Sequence, residues 1–215
     1  MERNIRPLNK KQIRSQATLE TLRTVVDKLV EELGFEKMHI RDICREAGIT
    51  PGTFYHYFPS KDDILFDRYL RVNIFLNKLY DEKLKKMHAI DALKLFFKEF
   101  IKWEKKRVIG VLISFQRARI LHYSEWAEKE KPATNEIITA LFTAGLEKGT
   151  IKPGLSPRQL SGFFVCLFEG MIINQCYSRG QSLKHPDFLE PANQWLESLR
   201  VRKTTTLRTP RTGVQ

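Results

Sequence analysis

The chain has 215 residues and 42% hydrophobic content, enough for one small and one larger domain around a buried core. Its formal charge is +12, with a net +4 on residues 1–14 and +5 on residues 200–215, which leaves only +3 for everything between. No apolar run is expected to approach the length needed to cross a membrane, and the opening MERNIRPLNKKQIR lacks the apolar core of a signal peptide, so the expected location is the cytoplasm, away from any membrane. Cys166 and Cys176 fall ten residues apart on one expected helix, about 15 Å along its axis and beyond disulfide reach. With Cys44 they read as small buried hydrophobes.

The basic N-terminal arm can reach phosphates or a minor groove, or it is simply a solvated tail. A first helix should open near Lys10 to Gln12 and stop at Gly34, with Leu22, Val26, Leu29, Val30 and Leu33 as its apolar stripe and Phe35 capping the small core. The stretch IRDICREAGITPGTFYHYFPSK follows, from Ile40 to Lys61. Ile40, Ile43 and Ala47 mark one short helix, Gly48 ends it, and Pro51 sits where a first helical turn tolerates proline. That pattern is a helix-turn-helix. Its second helix, Thr50 to Tyr57, is too short and aromatic to serve as scaffold alone, whereas Thr50, Thr53, Tyr55, His56 and Tyr57 offer donors and rings to a polyanion. Ser60 with Asp63 then caps the next helix and leaves Lys61 beside the same surface.

The residues Gly48-Ile49-Thr50, Gly52 through Phe58 and Ser60-Lys61 closely resemble the DNA-binding signature of the tetracycline-repressor (TetR) family of bacterial transcriptional regulators. The resemblance covers about sixty residues, from Gln12 to Tyr69. Met38-His39 departs from it, since family members commonly carry threonines there. Carried over position by position, the resemblance implies that Tyr55 and Lys61 hold phosphates and that His56 lies near bases or backbone, while Tyr57 either contacts DNA or is packed. Thr50 and Thr53 can bond phosphate or pack on a thymine methyl, and Pro51 and Gly52 allow close approach to the groove. Arg41 faces outward and can read a base edge, the alternative being an ion pair with Asp42 or Glu46.

A longer helix from Ser60 to about Lys83, through Tyr69, Val72, Leu76 and Leu79, leaves the helix-turn-helix without a linker, so a change in one part can tilt the other. Further helices are expected over residues 88–105, 108–122 and 134–148, then from Ser156 to about Tyr177 and from about Pro186 to Leu199. Strand signals are nearly absent. Ser156-Pro157-Arg158-Gln159 is a capping box, and it opens LSGFFVCLFEGMIINQC, which is apolar almost all round. Gly162, Cys166, Gly170 and Asn174 form a small-residue line along that helix. The line either serves the chain's own core or, with Trp195, belongs to the homodimer interface that the TetR resemblance implies for the last two helices.

No metal-ligand spacing, phosphate loop or nucleophile motif is present, so an enzyme and a cofactor are not expected. The resemblance implies an effector pocket among the middle helices, with Phe97, Phe100, Trp103, Phe115, Tyr123, Phe142 and Phe168 as wall and Arg119, His122 and Glu169 as polar anchors. Glu169 amid CLFEGMII must meet a cation, a ligand or a wet interface. The fold class expected is all-α: a basic arm and helix-turn-helix DNA-binding domain over residues 1–60, a helical effector-binding and dimerisation domain over 61–200, and a disordered tail over 201–215. The expected function is sequence-specific binding of a palindromic operator in double-stranded DNA by a homodimeric repressor, released by a small, largely apolar effector. A regulator of the same fold governed by a protein partner, or by no effector, is the alternative.

Overall fold

The computed structural model describes residues 10–104, 109–179 and 189–201. Among these residues the chain forms α1 (Lys10–Leu33), α2 (Ile40–Ala47), α3 (Pro51–Tyr57), α4 (Asp63–Glu82), α5 (Ala89–Glu104), α6 (Ile109–Lys129), α7 (Ala133–Glu147), α8 (Pro157–Tyr177) and α9 (Leu189–Ser198). A single 3-10 turn at Leu84–Lys86 joins α4 to α5, and the sole strand-like feature described is an isolated bridge between Ile151 and Arg200. The basic arm before Lys10, the last fourteen residues and the expected helix start at Pro186 lie outside the described residues.

Local chemistry sets most helix ends. α1 stops at Gly34 and α2 at Gly48, both in the left-handed region at φ 80° and 64°, where a side chain would be strained. Thr50 Oγ1 accepts the Thr53 N–H at 3.2 Å and opens α3, and Ser156 and Gln159 exchange side-chain and backbone bonds at the start of α8. Ser60 and Asp63 make the same reciprocal pair, yet α4 begins only at Asp63, so the cap steadies a turn before the helix proper.

α1, α2 and α3 pack around Leu22, Met38, Ile43 and Phe54, all fully buried. Met38 is therefore a core residue, while Leu33, expected in the stripe of α1, is 44% exposed and Val25 takes its place inside. A second core lies among α5, α7 and α8, where Phe96, Phe97, Phe142, Phe164 and Phe168 interlock with ring centres about 5.5–6 Å apart. α4 is shared by both. Asp67 takes Arg23 of α1 in two bonds of 3.0 and 2.5 Å, Tyr69 donates to the Glu130 carbonyl at 2.8 Å, and Asn73 bridges Lys131 and Ala133 at the turn between α6 and α7. These bonds make α4 a strut fixed at one end to the helix-turn-helix and along its length to the larger helical unit.

α8 corrects two expectations. By length and composition it is apolar enough to cross a membrane. Its packing on α7 and its Glu169–Arg119 ion pair are those of a core helix with an apolar outer face. The cysteines also differ from one another: Cys44 is buried, Cys176 half-buried and Cys166 exposed. Burial pushes the Cys44 and Cys176 thiols up, so both favour the protonated form.

Candidate nucleic-acid interface and interior cavity

The outer surface of α2 and α3 gathers the residues singled out for DNA. Arg41, Thr50, Pro51, Gly52, Tyr55 and His56 are exposed and Thr53 is half-buried, while Phe54 and Phe58 anchor α3 from below. Asp42 is held by Arg45 at 3.0 Å and Glu46 by Lys28, so the two acids within reach of Arg41 are engaged elsewhere. Arg41 is exposed and makes no described ion pair. Thr50 and Thr53 share a hydroxyl contact of 3.0 Å, which fixes both at the start of α3.

Two of the expected residues are engaged inward. The Tyr57 hydroxyl lies 3.1 Å from both the carbonyl and the Oγ of Ser15, so the packed alternative is the one adopted, pinning α3 to α1. Lys61 donates to the Glu36 carbonyl at 3.1 Å and lies 4.6 Å from the Phe35 ring centre, so its ammonium is spent on the turn after α1. His39, at the N-terminus of α2, receives the Asp42 carboxylate on its backbone N–H at 3.3 Å.

Within the larger helical unit, one cavity is walled by α4, α5, α6, the start of α7 and α8. It brings together Phe100, Phe115, Arg119, Tyr123, Phe168 and Glu169 of the expected set. Tyr69, Asn73, Glu104, Gln116 and Ile172 join them. Sequence reasoning missed Glu104, which reads on the helix as one more surface acid until Arg68 of α4 is placed against it. The Arg68–Glu104 pair spans 2.6 Å with side chains 1% and 5% exposed, and the Arg68 guanidinium lies between the Trp103 and Phe115 rings. The cavity volume is about 40 Å³, room for a few water molecules at most.

Four expected pocket residues are not part of it. Phe97 faces another cleft, Trp103 stacks on Phe75 at 5.4 Å, and Phe142 is sealed in the core against Phe164. His122 is displaced to the surface, where it stacks on Trp126 beside Glu125. Helical periodicity marks these side chains as apolar or polar without saying which of two interior faces each one meets.

The second cleft, of about 380 Å³, runs along the outer side of α8 and α9 and is lined by Phe97, Phe163, Leu167, Gly170, Asn174 and Trp195, among others. Gly162, Cys166, Gly170 and Asn174 are all exposed beside it, and a Cβ built on Gly162 or Gly170 meets nothing within 4 Å. Phe163 is 50% and Tyr177 83% exposed on the same helix. The small-residue line thus takes no part in the chain's own core. Trp195 is half-buried, its ring centre 4.8 Å from that of Phe163. Among the described residues no group of three metal-ligating side chains converges.

An all-helical chain with an exposed helix-turn-helix on a shared strut defines a DNA-binding regulator. The family model described as bacterial regulatory proteins of the tetR family matches residues 27–67, which span α2, α3 and the flanking turns. Residues 27–67 thus carry the DNA-binding region of the TetR family of transcriptional regulators, and the chain is a sequence-specific DNA-binding regulator. It is 24% identical over 202 residues to the HTH-type transcriptional regulator YwcC of Bacillus subtilis, covering 85% of this chain and 86% of the relative. It is 25% identical over 141 residues to the fatty acid metabolism regulator protein of the same species, covering 62% and 72%. The crystal structure of Bacillus subtilis FadR in complex with stearoyl-CoA superposes with a TM-score of 0.64 at 18% identity, covering 85% of this chain and 97% of that one.

Proposed function

We propose that this chain is a homodimeric repressor whose hold on a palindromic operator is released when a small molecule enters the cavity among α4, α5, α6 and α8. The observation that carries the reading is the path from cavity to DNA surface. α4 and α6 form cavity walls, and both touch the helix-turn-helix unit: α4 through Arg23–Asp67, and α6 through Arg117–Glu36 at 2.7 Å and the packing of Gly110 on Val30. A Cβ at Gly110 would stand 3.2 Å from Val30 Cγ1, so α6 rides close on α1 and a shift of α6 is felt there. With the cavity at about 40 Å³, an effector of ordinary size must move these walls to enter. Coupling of about 3 kcal/mol between the sites gives a change on the order of 100-fold in operator affinity.

In this reading residues 1–60 form the DNA-binding domain and 61–200 the effector and dimerisation domain, with α4 common to their work. Arg41, Thr50, Thr53, Tyr55 and His56 face the operator, and Gly52 lets α3 approach the groove. The exposed line on α8 seats a second copy, giving two recognition helices on one two-fold axis. The cavity wall carries two carboxylates and one arginine, Glu104, Glu169 and Arg119, as well as rings, so its effector is amphipathic and not simply apolar. The relative solved with stearoyl-CoA is consistent with small-molecule control in this fold and does not fix the ligand of this chain.

Selection of bound sequences from a random DNA pool at about physiological salt tests the reading. Enrichment of one inverted repeat is expected. A single half-site, or no enrichment from a protein that still dimerises, would overturn it.

A further inference from the structure

The polar wall of the interior cavity narrows the chemistry of its occupant, an inference that rests on the effector site proposed above. Two carboxylates reach the wall, Glu104 from α5 and Glu169 from α8, and each already holds a guanidinium against aromatic rings. Arg68 lies on Glu104 at 2.6 Å, with its guanidinium carbon 5.4 Å from the Trp103 ring centre and 5.3 Å from that of Phe115. Arg119 lies on Glu169 at 2.6 Å and 5.6 Å from the Tyr123 ring centre. A carboxylate backed by ring faces is an arrangement for cations, and the chain uses it twice on its own side chains.

The two resident cations differ in freedom. Arg68 is sealed in the core at 1% exposure and cannot leave without opening the strut. Arg119 is 23% exposed on α6, and its long stem lets the head swing to water at little cost. We propose that the cavity takes an organic cation with an aromatic or apolar body, whose charged group displaces Arg119 from Glu169. An anion fits poorly, because pairing with Arg119 would evict Glu169 and leave two carboxylates facing the site with one counter-charge removed. The displaced arginine sits on α6, the helix that rests on α1 and carries the Arg117–Glu36 contact. Exchange of one cation for another at Glu169 therefore acts on the element that leads to the DNA surface.

The test compares three compounds of one size and different charge on the full chain: benzyltrimethylammonium, its uncharged carbon isostere neopentylbenzene, and the anion 3-phenylpropionate. Binding is read from quenching of tryptophan fluorescence, since Trp103 packs on Phe100 and Trp126 on Phe115, both of which line the cavity. The cation is expected to bind about tenfold more tightly than the neutral isostere, with the anion weakest. Arg119→Gln is expected to tighten the cation by about tenfold, because it removes the resident competitor, and Glu169→Gln is expected to erase the cation's advantage while leaving the neutral compound unaffected. Equal binding of cation and isostere in the unaltered protein overturns the cation class and leaves a small-molecule site standing. So does an anion preference that Arg119→Gln abolishes. Failure of all three compounds to bind overturns both the class and the effector site beneath it.

Discussion

In the proposed operator complex, Arg41 and Tyr55 divide the DNA surface between reading and holding. With Asp42 and Glu46 taken by Arg45 and Lys28, the Arg41 guanidinium is free to meet a guanine edge, so Arg41→Ala should relax preference at one position in each half-site by ~1–3 kcal/mol. Tyr55→Phe removes a phosphate-directed hydroxyl, and should weaken all sequences alike by roughly 0.5–1.5 kcal/mol. Affinities for a set of single-base operator variants check both; an Arg41→Ala protein with unaltered preference would remove Arg41 from base reading. In the interior, Glu104→Gln leaves the Arg68 charge buried without its counter-ion, a change that should cost ~3–5 kcal/mol in urea unfolding. The exposure of Arg41 and Tyr55 and the need of Glu169 for a partner were legible in the sequence because each stands out against its neighbours. Glu104 and Lys61 were not legible, because their roles depend on Arg68 and on the Glu36 carbonyl, partners 36 and 25 residues away.

At the scale of elements, the helices whose ends are set by local chemistry were readable, and those set by distant contacts were not. Gly48, Thr50 with Pro51, and Ser156 with Gln159 each mark a boundary that the structure keeps, since a cap needs only residues within one turn. α6 runs to Lys129, seven residues past the expected end at His122, because Trp126 finds a stacked partner in Phe115 and ring neighbours in Phe66 and Tyr69. α9 is held from outside itself. Lys94 of α5 donates to Glu197 at 2.6 Å, Arg200 donates to Glu197 and to Asp91, and the chain beyond pairs with the segment around Ile151. Arg200 first and Lys94 second hold the Glu197 carboxyl down at about 2, below its ordinary 4.5. A depressed carboxylate stabilises fully above its unfolded value and loses that contribution as pH falls through its folded one. The clasp on α9 should therefore weaken between pH about 4.5 and 2. With the side chain 42% exposed, solvent screening keeps the effect below about 1 kcal/mol. Thermal unfolding of Glu197→Gln against the unaltered chain, with pH stepped through that window, should show the two curves converge at the acid end. Parallel curves would mean that the clasp contributes nothing.

For the whole molecule, the question is what covers the outer face of α8. Gly162, Cys166, Gly170 and Asn174 project no bulk, Phe163 and Leu167 stand exposed beside them, and the cleft against α9 continues the same surface. Glycine inside a helix costs about 1 kcal/mol relative to alanine, and the open space around both glycines means that the isolated chain has no packing reason to keep them. Close approach of a second copy, as proposed above, would supply that reason. The sequence exposed the small-residue line but not its side, because the helix is apolar almost all round and periodicity alone cannot separate a core face from an interface. Gly170→Leu should accordingly fold as well as the unaltered chain, since a Cβ there meets nothing within 4 Å and the rest of the side chain enters the open cleft, yet shift the dimer toward monomer by at least tenfold in dissociation constant through overpacking. Sedimentation across a concentration series measures the shift, and circular dichroism confirms the fold. Operator binding should fall with it, because a lone recognition unit reads too few base pairs for specific retention. A Gly170→Leu protein that remains dimeric at the same concentrations would place the interface on another face and leave the α8 and α9 cleft free for a ligand.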